Sequence, residues 1–171
     1  MIMRPILHNS CAQATTAKET RFRIDAPIRP ARATRVVALD GAAEPVVRRV
    51  AAQPWADARF FAARNGNGSA SLADITLVGT DGTPARLSDV LTGADVAVMV
   101  ATASANDTDG AAAASAIGDA CTMRGIMTAG LVLSTGQDSG SSVAALRPHA
   151  RVIMVTYDEH DVSEVLTALR A

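Results

Sequence analysis

Three stretches of the chain gather residue types that can hold a small ligand. Ser104-Ala105-Asn106-Asp107-Thr108-Asp109-Gly110 places carboxylates, a carboxamide and hydroxyls close together. Such an oxygen set suits a polar ligand or a hard cation. Asp107 and Asp109 are the residues that would serve a metal, although no metal site is expected. The same carboxylates suit a helix start, where they accept from free N–H groups and complement the helix dipole. Ser134-Thr135-Gly136-Gln137-Asp138-Ser139-Gly140-Ser141-Ser142 is the most permissive stretch. Its glycines let backbone N–H groups close on phosphate oxygens. Asp40-Gly41-Ala42-Ala43-Glu44 has a single glycine, and its carboxylates repel phosphate. The ligand-binding candidates are therefore Gly41, Ser104, Asn106, Thr108, Gly110, Ser134 and Gly136.

Covalent and acid–base chemistry find less support. Cys11 and Cys121 lack the spacing of a disulfide framework or a metal site. Cys121, on an alanine-rich segment, reads as a small core residue. His8, His149 and His160 join no Ser-His-Asp or Cys-His arrangement. Asp158-Glu159-His160-Asp161 reads as a solvated helix start. No catalytic residue is assigned, and GTPase activity is not expected.

Composition sets the frame for these loops. The chain has 171 residues, is 49% hydrophobic and carries a formal charge of −1. That is enough apolar material for a buried core, and no apolar run is long enough to span a membrane. Aromatic residues make up 3%, which argues against a base-stacking nucleic-acid surface. Charge is uneven. Residues 1–35 hold seven basic residues (Arg4, Lys18, Arg21, Arg23, Arg29, Arg32, Arg35) against Glu19 and Asp25, while the remainder is acidic. Residues 1–33 lack hydrophobic periodicity, are broken by Pro5, Pro27 and Pro30, and read as a basic, mostly irregular arm. Within it Arg21-Phe22-Arg23-Ile24 alternates as an added edge strand would. The opening residues are too short and interrupted for a signal-peptide core, and a cytoplasmic location is expected.

From residue 34 onward, strands and helices alternate. Arg35 to Leu39, Ala58 to Ala63, Ile75 to Gly79, Asp95 to Val100, Ile126 to Ser134 and Arg151 to Thr156 read as strands. Asp81-Gly82 signals a hairpin into Ala85 to Leu87. Pro45 suits the first turn of a helix with Val46, Val47 and Val50 on its apolar stripe. Ser88 is expected to cap a short helix. Asp161 is expected to cap the last helix, with Glu164 as its capping-box partner and Val162, Val165, Leu166 and Leu169 facing inward. The pattern predicts a single doubly wound, Rossmann-like α/β domain over residues 34–171. Its parallel sheet carries helices on both faces, with 35–39 and 95–101 central. In such sheets ligands bind outside the carboxyl ends of the strands, where the three loops above fall.

The body resembles the nucleotide-binding half of FtsZ and the tubulin superfamily. Arg35 to Arg49 is similar to that family's first strand, glycine-rich loop and helix. Phe60-Phe61-Ala62-Ala63-Arg64-Asn65 is similar to its second strand. Gly93 to Ala101 resembles its Gly-Ala-Asp segment and following strand. Ser104 to Gly110 falls where the family carries GGGTGTG, and only Gly110 matches. The family's long loop after the third strand corresponds here to Thr80-Asp81-Gly82-Thr83-Pro84. The resemblance covers residues 35–171 and ends before the family's catalytic acidic loop and second domain.

This resemblance implies a non-hydrolysing, FtsZ-like module for interaction, scaffolding or self-assembly. The alternative is a small-ligand or nucleotide-binding module using 104–110 and 134–142. No cofactor is expected, and GTP, GDP or another nucleotide belongs to that alternative. The expected partner is a protein or a second copy of the chain; no nucleic acid and no transmembrane segment are expected. Without the family's second domain, apolar surface is expected around Val162 to Leu169 or Trp55 to Phe61. A two-fold dimer or the arm at 1–33 would cover it.

Overall fold

The computed structural model describes residues 30–64, 75–103 and 108–171. The chain falls into two units, Met1–Pro30 and Ala31–Ala171, and the fold is that of the second. The arm through residue 29 and its Arg21 to Ile24 alternation lie outside the described residues.

The elements run β1 (Thr34–Ala38), α1 (Ala43–Ala51), β2 (Ala58–Arg64), β3 (Thr76–Gly79), β4 (Pro84–Arg86), α2 (Leu87–Val90), β5 (Val96–Thr102), α3 (Thr108–Arg124), β6 (Met127–Leu133), α4 (Gly140–Leu146), β7 (Val152–Thr156) and α5 (Glu159–Leu169). They form one seven-stranded sheet in the order β4-β3-β2-β1-β5-β6-β7. β2, β1, β5, β6 and β7 are parallel. β3 and β4 are antiparallel. The expected doubly wound sheet is present, with β1 and β5 central. It is parallel except at the hairpin edge, where Asp81 and Gly82 turn the chain. Gly82 has φ +84°, a conformation that glycine adopts without a Cβ penalty. The Asp81 carboxylate accepts from the Thr83 N–H at 2.9 Å and the Thr83 hydroxyl at 2.9 Å, closing the turn.

The central strands are apolar on both sides because both sides are covered. On one face Val37, Met99 and Val132 pack with Leu77, Leu87, Ile117, Cys121 and Leu146. On the other, Val36, Val98, Val100 and Leu131 pack with Val47, Val50, Val162 and Leu166 of α1 and α5. Each such side chain contributes about 1.5–3 kcal/mol when fully buried. α5 leans toward α1. The Gln53 amide donates to Ser163 Oγ at 3.0 Å, and Arg49 pairs with Glu159 at 2.7 Å.

Three sequence expectations need correction. α5 is capped by Asp158, in extended backbone, whose carboxylate accepts from the His160 N–H at 3.0 Å. Asp161 lies one turn too late for that role. Ser88 sits inside α2, whose cap position is Arg86. The Val162 to Leu169 stripe is no bare surface, since Val162 and Leu166 are fully buried beneath α5.

Candidate functional site

The direction of winding reverses between β1 and β5. β1 leads through α1 to β2 on one side, and β5 leads through α3 to β6 on the other. Doubly wound proteins bind ligands at this switch point, above the carboxyl ends of the strands. Here Asp40, just beyond β1, spans it. Asp40 Oδ2 accepts from the Thr102 N–H at 2.7 Å, and Oδ1 accepts from the Thr102 hydroxyl at 3.0 Å. Oδ1 also accepts from the Ala43 N–H at 2.7 Å, at the first turn of α1. One carboxylate thus fastens the ends of β1 and β5 and satisfies an orphan helix donor. The Ser142 hydroxyl of α4 donates to the Thr102 carbonyl at 2.8 Å.

The neighbouring strand ends are stitched the same way. Leu39 N–H donates to Val100 O, Ala103 N–H to Leu133 O and Ser134 N–H to Thr156 O, each at 2.8 Å. Ser134 is buried, and its hydroxyl donates to the Gln137 carbonyl at 2.8 Å. Gly136 takes φ +89° in the same turn. Glu44, at the start of α1, accepts from Arg48 at 2.7 Å and from Arg64 at the end of β2 at 2.9 Å. Carboxylates that the sequence presents as repelling phosphate are thus engaged within the protein.

The structure brings Gly41, Gly110 and Ser134–Gly136 to the expected carboxyl end of the sheet. Gly41 has open space where a Cβ would stand, and Gly110 is buried in the first turn of α3. Ser104, Asn106 and Asp107 lie outside the described residues. Thr108 and Asp109 are the first two residues of α3. Among the described residues no group of three or more His, Cys, Asp and Glu is placed to hold a metal. Nor is any helix there long and apolar enough to cross a membrane.

Cys121 is fully buried, and desolvation pushes its thiol up to about 11. The thiolate needed of a nucleophile is therefore disfavoured. At the opposite end of the sheet Arg35 is buried, its Nε donating to Val90 O at 3.0 Å and its Nη1 to Thr34 O at 3.2 Å. Burial, then the neighbouring Arg59, lowers its pKa from the ordinary arginine value, and it remains a cation.

Two surface features stand apart from the strand ends. The first is a cleft of about 520 Å³ outside the first half of β2, lined by Trp55, Phe60, Phe61, Gly79 and Thr83 among others. It exists because β3 pairs with β2 only from Phe61 onward. Phe60 is buried, while Trp55 and Phe61 are half-buried, with the Trp55 indole N–H donating to Val50 O at 2.9 Å. The second is β7. Val152 is 54% exposed, Met154 43% and Val155 37%, beside Met127 at 45% and Tyr157 at 75%. No sequence signal singled out this strand, whose apolar run reads like those of its buried neighbours.

No family model matches the chain, and no curated protein matches it. Among solved structures it is similar to a protein described as pilus assembly-related from Burkholderia pseudomallei, with a TM-score of 0.44 and 14% identity over 85% of this chain and 95% of that one. A likeness at that level says nothing about function.

Proposed function

We propose that this chain is a non-enzymatic interaction module that docks a protein through the β7 edge of its sheet. The observation that carries the reading is the concentration of exposed apolar side chains on β7 and the adjoining start of β6. Scattered exposed apolar residues are ordinary on a soluble domain, whereas a contiguous group marks an interface. Val152 and Met154 lie on the α1/α5 side of the sheet, in register with Ala129 and Leu131, and Val155 lies on the other side, in register with Val132. The relationship to the tubulin superfamily, like a cytoplasmic location, is part of the proposal. It is supported by the order of the apolar strands and not by loop chemistry.

The internal bonding of Asp40, Thr102 and Ser134 counts against the alternative of a nucleotide-binding module at the strand ends. A melting experiment with GTP, GDP, ATP and Mg²⁺ tests the choice. A ligand that binds only the folded state raises stability, by about 2.7 kcal/mol at one hundred times its dissociation constant. The expected result is no shift and no GTP turnover above background. A nucleotide-dependent rise in melting temperature would move the function to the strand-end loops.

A further inference from the structure

Resting on that reading, we propose that the occupant of the β7 edge is β7 of a second copy of this chain. The two strands pair antiparallel about a two-fold axis, so that two sheets become one. Three observations lead there.

The two edges of the sheet differ. β4 has three residues, opens with Pro84, which lacks an N–H, and ends with Arg86. Short length, proline and charge are the devices by which edge strands avoid pairing. β7 has five residues, Val-Ile-Met-Val-Thr, with no charge and no proline. Among the described residues no strand pairs with its outer side, and a partner strand satisfies such an edge by β-augmentation.

Charge sets the direction. Arg151 precedes β7, while Asp158, Glu159 and Asp161 follow it. A parallel copy would stack arginine on arginine and carboxylate on carboxylate. An antiparallel copy sets each Arg151 beside the acidic end of its partner, the favourable arrangement for cross-strand pairs.

The strand then selects its own register. A two-fold axis normal to the sheet keeps like faces on the same side, so opposed residues must lie an even number of positions apart. Placing Met154 opposite its own copy matches Val152 with Thr156 and Ile153 with Val155, and pairs all five residues of β7. A shift by two positions in either direction leaves residues of the strand unmatched. On the α1/α5 side, Val152 lies in register with Ala129 and Met154 with Leu131, continuing the row begun by Met127. The pairing joins this row to its copy.

The test uses the full chain. Sedimentation is expected to give twice the monomer mass. Val152→Lys and Met154→Lys are expected to weaken the dimer about tenfold or more, with the circular dichroism of the folded chain retained because both positions are exposed. In a Cys11→Ser background, Met154→Cys is expected to oxidise to a disulfide-linked dimer, since opposed antiparallel residues lie within disulfide reach. Val152→Cys, facing Thr156, is expected not to. A chain that stays monomeric at high concentration overturns the pairing and leaves the interaction reading with another occupant. A dimer that survives both lysine substitutions, and that forms no crosslink in the Met154→Cys variant, overturns it as well. Failure of the interaction reading itself would appear separately, as a nucleotide-dependent melting shift.

Discussion

Asp40 and Thr102, 62 residues apart in the chain, are held together by two hydrogen bonds of 2.7 and 3.0 Å across the point where the winding of the sheet reverses. The same carboxylate takes the Ala43 N–H at the first turn of α1, so one side chain engages donors from two elements at the switch point.

Asp40→Ala is therefore expected to destabilise the fold by about 2–3 kcal/mol, because the Thr102 and Ala43 N–H groups lose a charged acceptor. Asp40→Asn, which keeps one acceptor oxygen, is expected to cost roughly half as much. Urea titration would read both as lowered midpoints with unchanged slope.

Thr156 is 3% exposed, and its hydroxyl has no hydrogen-bond partner among the described residues. Burying such a group without a partner costs about 1–3 kcal/mol. Thr156→Val, nearly the same shape, is expected to raise stability by about 1 kcal/mol and the melting temperature by a few degrees. A lowered melting temperature would show that the hydroxyl is satisfied.

Gly118 lies within α3, where alanine ordinarily gains about 1 kcal/mol over glycine. Here a Cβ would stand 2.6 Å from the Cβ of His149, closer than real atoms approach. Gly118→Ala is therefore expected to lower the melting temperature. The double variant Gly118→Ala/His149→Gly is expected to recover part of the loss, a coupling read by a double-mutant cycle.

Cys121 gives a pH dependence of definite sign. Its thiol is raised from 9.0 to about 11 in the folded state, mainly by burial. The folded chain thus holds its proton after the unfolded chain has released it. This contribution is fully present below about pH 8 and is lost as the pH climbs from 9 toward 11, about 2–3 kcal/mol in all. Chemical denaturation across that range should show the fall in the parent chain and a shallower one in Cys121→Ala. At pH 8 the native thiol should resist alkylation.

The parallel core was legible because burial on both faces forces continuous apolar runs, as in Val96 to Val100 and Leu131 to Leu133. The hairpin was legible from Asp81-Gly82. The cap of α5 was not, because Asp158 and Asp161 both precede the apolar stripe and only backbone conformation chooses between them. Asp40 was legible as a carboxylate in the crevice, but not as its fastener, since Thr102 reaches it only through the pairing of β1 with β5. The bare surface was sought along α5 and near Trp55. That on β7 was not legible, because the identity of the edge strand belongs to topology, which local pattern does not encode.

The blunt Pro84–Arg86 edge has a stoichiometric consequence. A sheet open at both margins can add copies without end, growing as a fibre. Among the described strands a single margin is open, so the valence is one. Once that margin is occupied, no unprotected strand remains at either end of the described sheet, and growth terminates at the first union.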